Sequence, residues 1–401
     1  MKPKIRIKGF NDAWEYSYLY NCLDISTEVN KENKYGKDEV LSVSDDFGVV
    51  NQIKHLGRSY AGKSVSGYKI LLPGQIVYTK SPLRDKPFGI IKENNYQAGI
   101  VSVLYAVYNV KEGIFSKYIQ RYFEPKQRIN KYLIPLVNKG AKNTMNISDE
   151  MSLNGKITKP VTICEQQAIC SYFDKVDELI STASSRLASL KQVKEASLQA
   201  MFPQKGETVP KIRFKGFEGE WEEILLGSLF SERVENDVTA EMLSVTMHDG
   251  IIKANENGRY DNSNSDRSNY KLVLKDDIAY NTMRMWQGAS GCSPYSRGIV
   301  SPAYTVITPN VGVCSVFFAF YFKTNGLINK FRLNSQGLTK DTWNLKYPAF
   351  SSISVLYPTN VLEQQRIASY FTSLDKQIAL QMQRLEKLKQ IKAACLDKMF
   401  V

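Results

Sequence analysis

The chain is written twice. Pro3-Lys4-Ile5-Arg6-Ile7-Lys8-Gly9-Phe10 with Trp14-Glu15 returns as Pro210-Lys211-Ile212-Arg213-Phe214-Lys215-Gly216-Phe217 with Trp221-Glu222. Leu41-Ser42-Val43 returns as Leu243-Ser244-Val245, and Gly99-Ile100-Val101-Ser102 as Gly298-Ile299-Val300-Ser301. Glu165-Gln166-Gln167 with Ser171-Tyr172-Phe173 returns as Glu363-Gln364-Gln365 with Ser369-Tyr370-Phe371. The matches keep their order and their offset shrinks slowly, as a tandem duplication with a few loop deletions requires. A chain of 401 residues is therefore two copies of one unit of about two hundred residues, each long enough to bury a core of its own.

Within each copy the first part reads as short β runs punctuated by Gly, Pro, Asn and Asp: 40–43, 69–72, 75–79 and 100–107, against 243–246, 271–274, 278–280 and 303–307. Residues 115–123 and 317–322 read as apolar helices packing on that sheet. Each copy then closes with one long helix. Thr162 followed by Glu165, and Asn360 followed by Glu363, fit a capping box just behind Pro160 and Pro358. From there Ile169, Phe173, Val176, Ile180, Ala183, Leu187 and Leu190 form one apolar stripe, and Ile367, Phe371, Leu374, Ile378, Leu385 and Leu388 repeat it. A helix of ~35 residues is ~50 Å long, too long for one globule to cover. Two copies of one helix can instead pair antiparallel about an approximate two-fold axis, and these stripes are the expected pairing and docking residues. The expected fold class is mixed α/β, with two tandem-duplicated α/β domains joined by two long antiparallel coiled-coil helices. The boundaries fall at 1–161 for the first domain, 162–202 for the first helix, 203–209 for a linker, 210–359 for the second domain and 360–401 for the second helix.

Charge narrows the partner. With 53 Lys+Arg against 40 Asp+Glu the net charge is +13, which draws the chain to a polyanion, nucleic acid first among them. The longest apolar run, residues 311–322, falls short of the ~20 residues of a spanning helix, and the opening lacks an apolar signal core, so no membrane partner is expected and the cytoplasm is. Cys22, Cys164, Cys170, Cys292, Cys314 and Cys395 form no CxxC pair, which points to neither a zinc site nor a disulfide framework. His55 and His248 do not correspond under the repeat, and no paired-carboxylate or Cys–His constellation stands out. A chain without catalysis, metal or cofactor of its own is expected.

Two motifs tempt. Residues 57–64, GRSYAGKS, fit the P-loop pattern letter for letter, but a strand-like run follows instead of a helix, and the second copy (Gly258-Arg259-Tyr260 onward) has no GK. Ser301-Pro302-Ala303-Tyr304 is a faint match to the loop that holds a target amine in amino-methyltransferases, without its second Pro. Binding a duplex suits the remaining residues better. Lys80, Arg84 and Lys86 in the first copy, and Asn281, Thr282, Arg284, Trp286 and Gln287 in the second, lie in polar segments with aromatic neighbours. Lys139, Lys142 and Asn143 occupy the later part of the first copy, as Lys340 and Thr342 do in the second. Arg and Lys suit phosphates and guanine edges, Asn and Gln adenine edges. Matching positions suggest scaffold, and diverging ones the reading of different sequences.

These residues resemble the specificity subunit of type I restriction–modification systems. The resemblance is carried by the repeated openings 3–14 and 210–221, by residues 280–304 (YNTMRMWQGASGCSPYSRGIVSPAY) and by the helix starts 165–173 and 363–371. The first copy departs from the pattern over residues 76–107. The resemblance implies two target-recognition domains on two paired helices, each domain reading half of a bipartite, asymmetric double-stranded DNA site with a fixed gap. It implies two modification subunits carrying S-adenosylmethionine for adenine methylation, and two restriction subunits using ATP and Mg. A helix of ~50 Å corresponds to on the order of 15 base pairs between half-site centres. Three other readings compete: an orphan subunit of a methylation-only system, a non-specific DNA-bridging protein, and a self-sufficient nuclease or methyltransferase.

Overall fold

A computed structural model describes residues 2–83, 85–139, 145–247, 249–256 and 266–400. The chain divides into two compact units, Met1–Ser184 with Gln383–Val401, and Ser185–Met382. The first unit is built on a four-stranded antiparallel sheet in the order Leu23–Ile25, Ala106–Val110, Ile76–Tyr78, Ile91–Glu93. The second repeats that order with Phe230–Glu232, Tyr304–Pro309, Ile278–Asn281 and Ser290–Cys292. A flanking ladder of Lys69–Leu71 with Gly99–Val101 recurs as Lys271–Leu274 with Arg297–Val300. The hairpin of Leu41–Ser44 with Gly48–Asn51 recurs as Leu243–Val245 with Ile251–Lys253.

Strand alternation explains why the central strands are buried on both faces. Side chains at i and i+2 share a face. Ile76 and Tyr78 accordingly join the large core with Tyr118 and Phe123, while Val77 turns to a smaller cluster with Leu41, Leu71 and Val101. Ile278 and Tyr280 enter the large core of the second unit and Ala279 the smaller one. The helices expected over 115–123 and 317–322 form as Ser116–Phe123 and Ser315–Tyr321, packed on the sheets. The single strand expected over 100–107 is two strands, Gly99–Val101 and Ala106–Val110. A turn closed by the Tyr105 amide donating to Ser102 O at 3.0 Å separates them, so one apolar run serves two different ladders.

Each unit holds the start of one long helix and the end of the other. The helices run Ile163–Ala200 and Val361–Lys398. In the first unit Tyr172 Oη meets Cys395 Sγ at 3.2 Å, and Lys392 meets Asp177 at 2.8 Å. In the second, Lys194 meets Asp375 at 2.5 Å and Ser197 Oγ meets Tyr370 Oη at 2.9 Å. Numbers rise along one helix as they fall along the other, so the helices pack antiparallel in each unit. Ile169 and Phe173 lie within the core of the first unit, and Ile367, Phe371 and Leu374 within that of the second. Val176 is buried as well. Ile180, Leu187, Leu190, Ile378, Leu385 and Leu388 are half-buried. Early in each helix the stripe thus fills a globule and meets the other helix together: Phe173 stacks on Phe400 at 6.0 Å, and Phe371 on Phe202 at 5.9 Å.

The capping boxes do not form as expected. Thr162 Oγ1 accepts the Glu165 amide at 3.4 Å, but the Glu165 carboxylate is buried and turned inward. Arg6 Nε and Nη2 donate to its two oxygens at 2.7 and 2.8 Å, and Trp14 Nε1 adds a third bond at 3.1 Å. Glu363 takes the same two bonds from Arg213 at 2.7 and 2.8 Å. A guanidinium fork satisfies both carboxylate oxygens, which a single cap amide cannot. The neighbouring Gln166 and Gln364 are wholly buried. They accept the amides of Phe115 and Cys314 at 2.8 and 2.9 Å. The repeated opening and the repeated Glu-Gln are thus two halves of one fastening that ties each domain to its helix.

Candidate nucleic-acid interface

In the second unit the expected residues converge. The Leu345 amide donates to Thr282 O at 2.9 Å, joining the loop after strand Ile278–Asn281 to the hairpin bridged at Gln336 and Asn344. The Trp286 and Trp343 rings meet edge to face at 5.3 Å across that junction. Asn281 Oδ1 accepts the Met283 amide at 3.0 Å, and Trp286 Nε1 donates to Met283 O at 3.0 Å, so both shape the loop. Thr282 is buried, with Oγ1 donating to Ala303 O at 2.9 Å. Thr342 Oγ1 donates to Thr339 O at 3.0 Å and shapes the hairpin tip. Both hydroxyls hold the local backbone, Thr282 from a buried position and Thr342 from an exposed one. Arg284, Gln287 and Lys340 are exposed. Among the described residues their side chains have no hydrogen-bond or ion-pair partner. Leu338, at the same tip, is fully exposed.

In the first unit the expected lysines are engaged in ion pairs. Lys80 pairs with Asp149 at 2.5 Å, and Lys69 pairs with the same carboxylate at 2.6 Å. Burial pushes Asp149 up, but the two lysines outweigh it and hold the carboxyl below its ordinary value. Lys86 is buried, donating to Asp45 Oδ1 at 2.8 Å and Glu124 O at 3.0 Å. Burial likewise raises Asp45, and Lys86 with Lys92 brings it below its ordinary value. Lys86 is thus a buried brace, and Lys80 is half-buried and held by its carboxylate. Lys139 lies in strand Asn138–Lys139, while Arg84, Lys142 and Asn143 fall outside the described residues.

A group of exposed cations in the first unit lies elsewhere, in and just before the P-loop-like segment. Lys54, His55, Arg58, Tyr60 and Lys63 are exposed between strand Gly48–Asn51 and strand Lys69–Leu71. Arg58 sits 4.6 Å over the Tyr60 ring, and Phe47 lies 5.1 Å from His55. A signal was available: between Asp46 and Asp85 the sequence has no Asp or Glu. Ser301-Pro302-Ala303-Tyr304 forms the turn into strand Tyr304–Pro309, with the Tyr304 amide donating to Ser301 O at 3.0 Å. Among the described residues no cluster of three metal-ligating side chains occurs, and no helix is long and apolar enough to cross a membrane.

No protein-family model and no curated protein matches the chain. Solved structures do. The type I restriction–modification S subunit from M. genitalium aligns over 100% of this chain and 99% of its own, at 14% identity and a TM-score of 0.58. The chain shares the specificity-subunit fold. The HsdS subunit from Thermoanaerobacter tengcongensis covers 96% of each chain at 13% identity and a TM-score of 0.50. A chain from a structure concerned with complex assembly and conformational transition of the type I R-M system covers 96% of this chain and 97% of its own, at 14% identity and a TM-score of 0.50.

Proposed function

We propose that this protein is the DNA-recognition subunit of a type I restriction–modification complex, without catalysis or cofactor of its own, working in the cytoplasm. One observation carries the reading: a duplicated basic α/β unit on paired long helices, in the specificity-subunit fold along its whole length. Each unit reads one half of a bipartite site in double-stranded DNA. In the second unit Arg284, Gln287 and Lys340, beside the Trp286–Trp343 pair, offer the free donors that base edges and phosphates take. The two helices, each of 38 residues, set the gap and dock two modification subunits, which bring S-adenosylmethionine. Two restriction subunits bring ATP and Mg. The domain boundaries at 161 and 359 make each reader exchangeable by itself.

The test is a map of methylated adenines in cells expressing the chain with its modification partner, against cells lacking the chain. A chain-dependent bipartite motif with one fixed gap is expected. Unchanged methylation with the partner expressed rejects the reading.

A further inference from the structure

The P-loop-like residues 57–64 have no role in what precedes, and their fold rules out the role their letters suggest. Gly57 is the left-handed cap, φ 76°, that ends helix Gln52–Leu56. The next regular element is strand Lys69–Leu71, so no helix N-terminus stands ready for a nucleotide phosphate. What the loop displays is unopposed positive charge. Of the cations in the acid-free stretch between Asp46 and Asp85, Lys69 and Lys80 are bound to Asp149. Lys54, Arg58 and Lys63 are exposed, and among the described residues they have no acidic partner. Like charges gathered on one surface repel one another, and a polyanion relieves that repulsion.

The loop is also held in place. Asn51 Oδ1 accepts the Lys54 amide at 3.0 Å, and Gln52 Oε1 accepts the Tyr60 amide at 2.7 Å. Gln52 Nε2 donates to Ser42 Oγ at 3.0 Å, anchoring the loop to strand Leu41–Ser44. Ala61 packs against Val40, Val65 and Ile100. Between these anchors Arg58 lies over Tyr60, an arrangement that steadies the guanidinium and leaves its N–H groups to a ligand. A Gly-Arg pair followed by Tyr recurs near the matching place of the second copy as Gly258, Arg259 and Tyr260, without Ser59 and the later GK, outside the described residues. What both half-sites have in common is the sugar–phosphate backbone, whereas base readers must differ.

We propose that residues 57–64 form a phosphate-backbone contact of the first unit, with Arg58 held on Tyr60 as its centre and Lys54 and Lys63 beside it. The proposal rests on the recognition reading above and names the residues that supply its sequence-independent part.

The test titrates the full-length chain with a random-sequence duplex at several salt concentrations. Arg58→Ala should bind about 3- to 10-fold more weakly at low salt, with a log K against log salt slope shallower by about 0.9, the share of one phosphate. Arg58→Lys should keep most of that slope, and Tyr60→Ala should lose part of the affinity with the slope kept. Hydrogen exchange in strand Leu41–Ser44 should be unchanged in all three, since both side chains are exposed. With the modification partner, Arg58→Ala should leave the methylated motif unaltered. Wild-type affinity and slope in Arg58→Ala overturn the proposal, and so does a relaxed base in the motif, which makes Arg58 a base reader. ATP binding by the wild type that is lost in Lys63→Ala also overturns it, by restoring a nucleotide site. A wild-type chain that binds no duplex overturns the recognition reading and this proposal together, while a binding wild type with an indifferent Arg58→Ala overturns this proposal alone.

Discussion

In the first unit Arg121 reaches Glu124 at 2.8 Å, Asp174 at 2.9 Å and Asp177 at 2.6 Å, and Lys392 of the second helix joins Asp177 at 2.8 Å. At the matching places of the second unit stand Phe320, Lys323, Thr372, Asp375 and Lys194. There Phe320 packs on Phe371 at 5.2 Å, Lys194 lies 5.7 Å over the Phe320 ring, and Lys194 pairs with Asp375. Burial holds the Lys323 ammonium below its ordinary value, and Lys194 nearby adds to the effect. One unit grips the helix pair by an ionic network and the other largely by aromatic packing, although the same two-bond Arg–Glu fork fastens each helix start. The contrast separates contacts that any copy of the unit needs from contacts that can be replaced by others of equal geometry.

The largest expected effect tests the shared fork. Glu165→Ala and Glu363→Ala each leave a half-buried guanidinium without its carboxylate, at a cost on the order of 3 kcal/mol. Glu165→Ala should cost the more, because Trp14 Nε1 also loses its acceptor, whereas Trp221 Nε1 has no hydrogen-bond partner among the described residues. Urea unfolding followed by hydrogen exchange in each unit measures both; equal costs remove the contribution assigned to Trp14, and a negligible cost in either variant breaks the parallel. Next come two matched glycines. A Cβ on Gly99 would strike the Glu39 carbonyl oxygen, while one on Gly298 would strike the movable Leu243 side chain. Gly99→Ala should therefore cost about 2–3 kcal/mol and Gly298→Ala about 1–2.

A smaller effect separates the two grips. Burial raises Asp177, but Lys392 and Arg121 outweigh it and hold the carboxyl below its ordinary value, as the lysines do for Asp45 and Asp149. Stability from a lowered carboxyl is complete above its unfolded value of about 3.9 and is lost as pH falls through the folded value. Acidification below about pH 4 should therefore loosen the end of the second helix in the first unit before the start of that helix in the second. After solvent screening the difference is on the order of 1 kcal/mol, readable in hydrogen exchange of residues 390–398 against 361–370. The smallest effect on stability belongs to Arg284→Ala, within about 0.5 kcal/mol for an exposed side chain. If Arg284 reads a base, the methylation map of that variant loses discrimination at one position of one half-site and keeps the other half-site intact.

The repeat, the central strands and the long helices were legible because their signals are local and periodic. Ile76 to Tyr78 alternate faces by two, and the helix stripes step by three and four. The expected strand 100–107 failed for a related reason, since an apolar run carries no mark of where the chain turns from one ladder to another. The ion pairs of the lysines were not legible at all. Lys80 and Lys86 are cationic in any reading of the sequence, but the carboxylates that neutralise them lie 69 and 41 residues away.

By itself the sequence determined that two copies of one α/β unit would each close with a long amphipathic helix, because periodicity and duplication are written along the chain. Tertiary structure alone decided which charges remained free. It turned Glu165 and Glu363 from caps into buried partners of Arg6 and Arg213, bound Lys80 and Lys86 to acids, and left Arg58 and Arg284 without acidic partners among the described residues. Whether a charge is answered depends on what the fold brings within a few ångströms of it, which local spacing does not record.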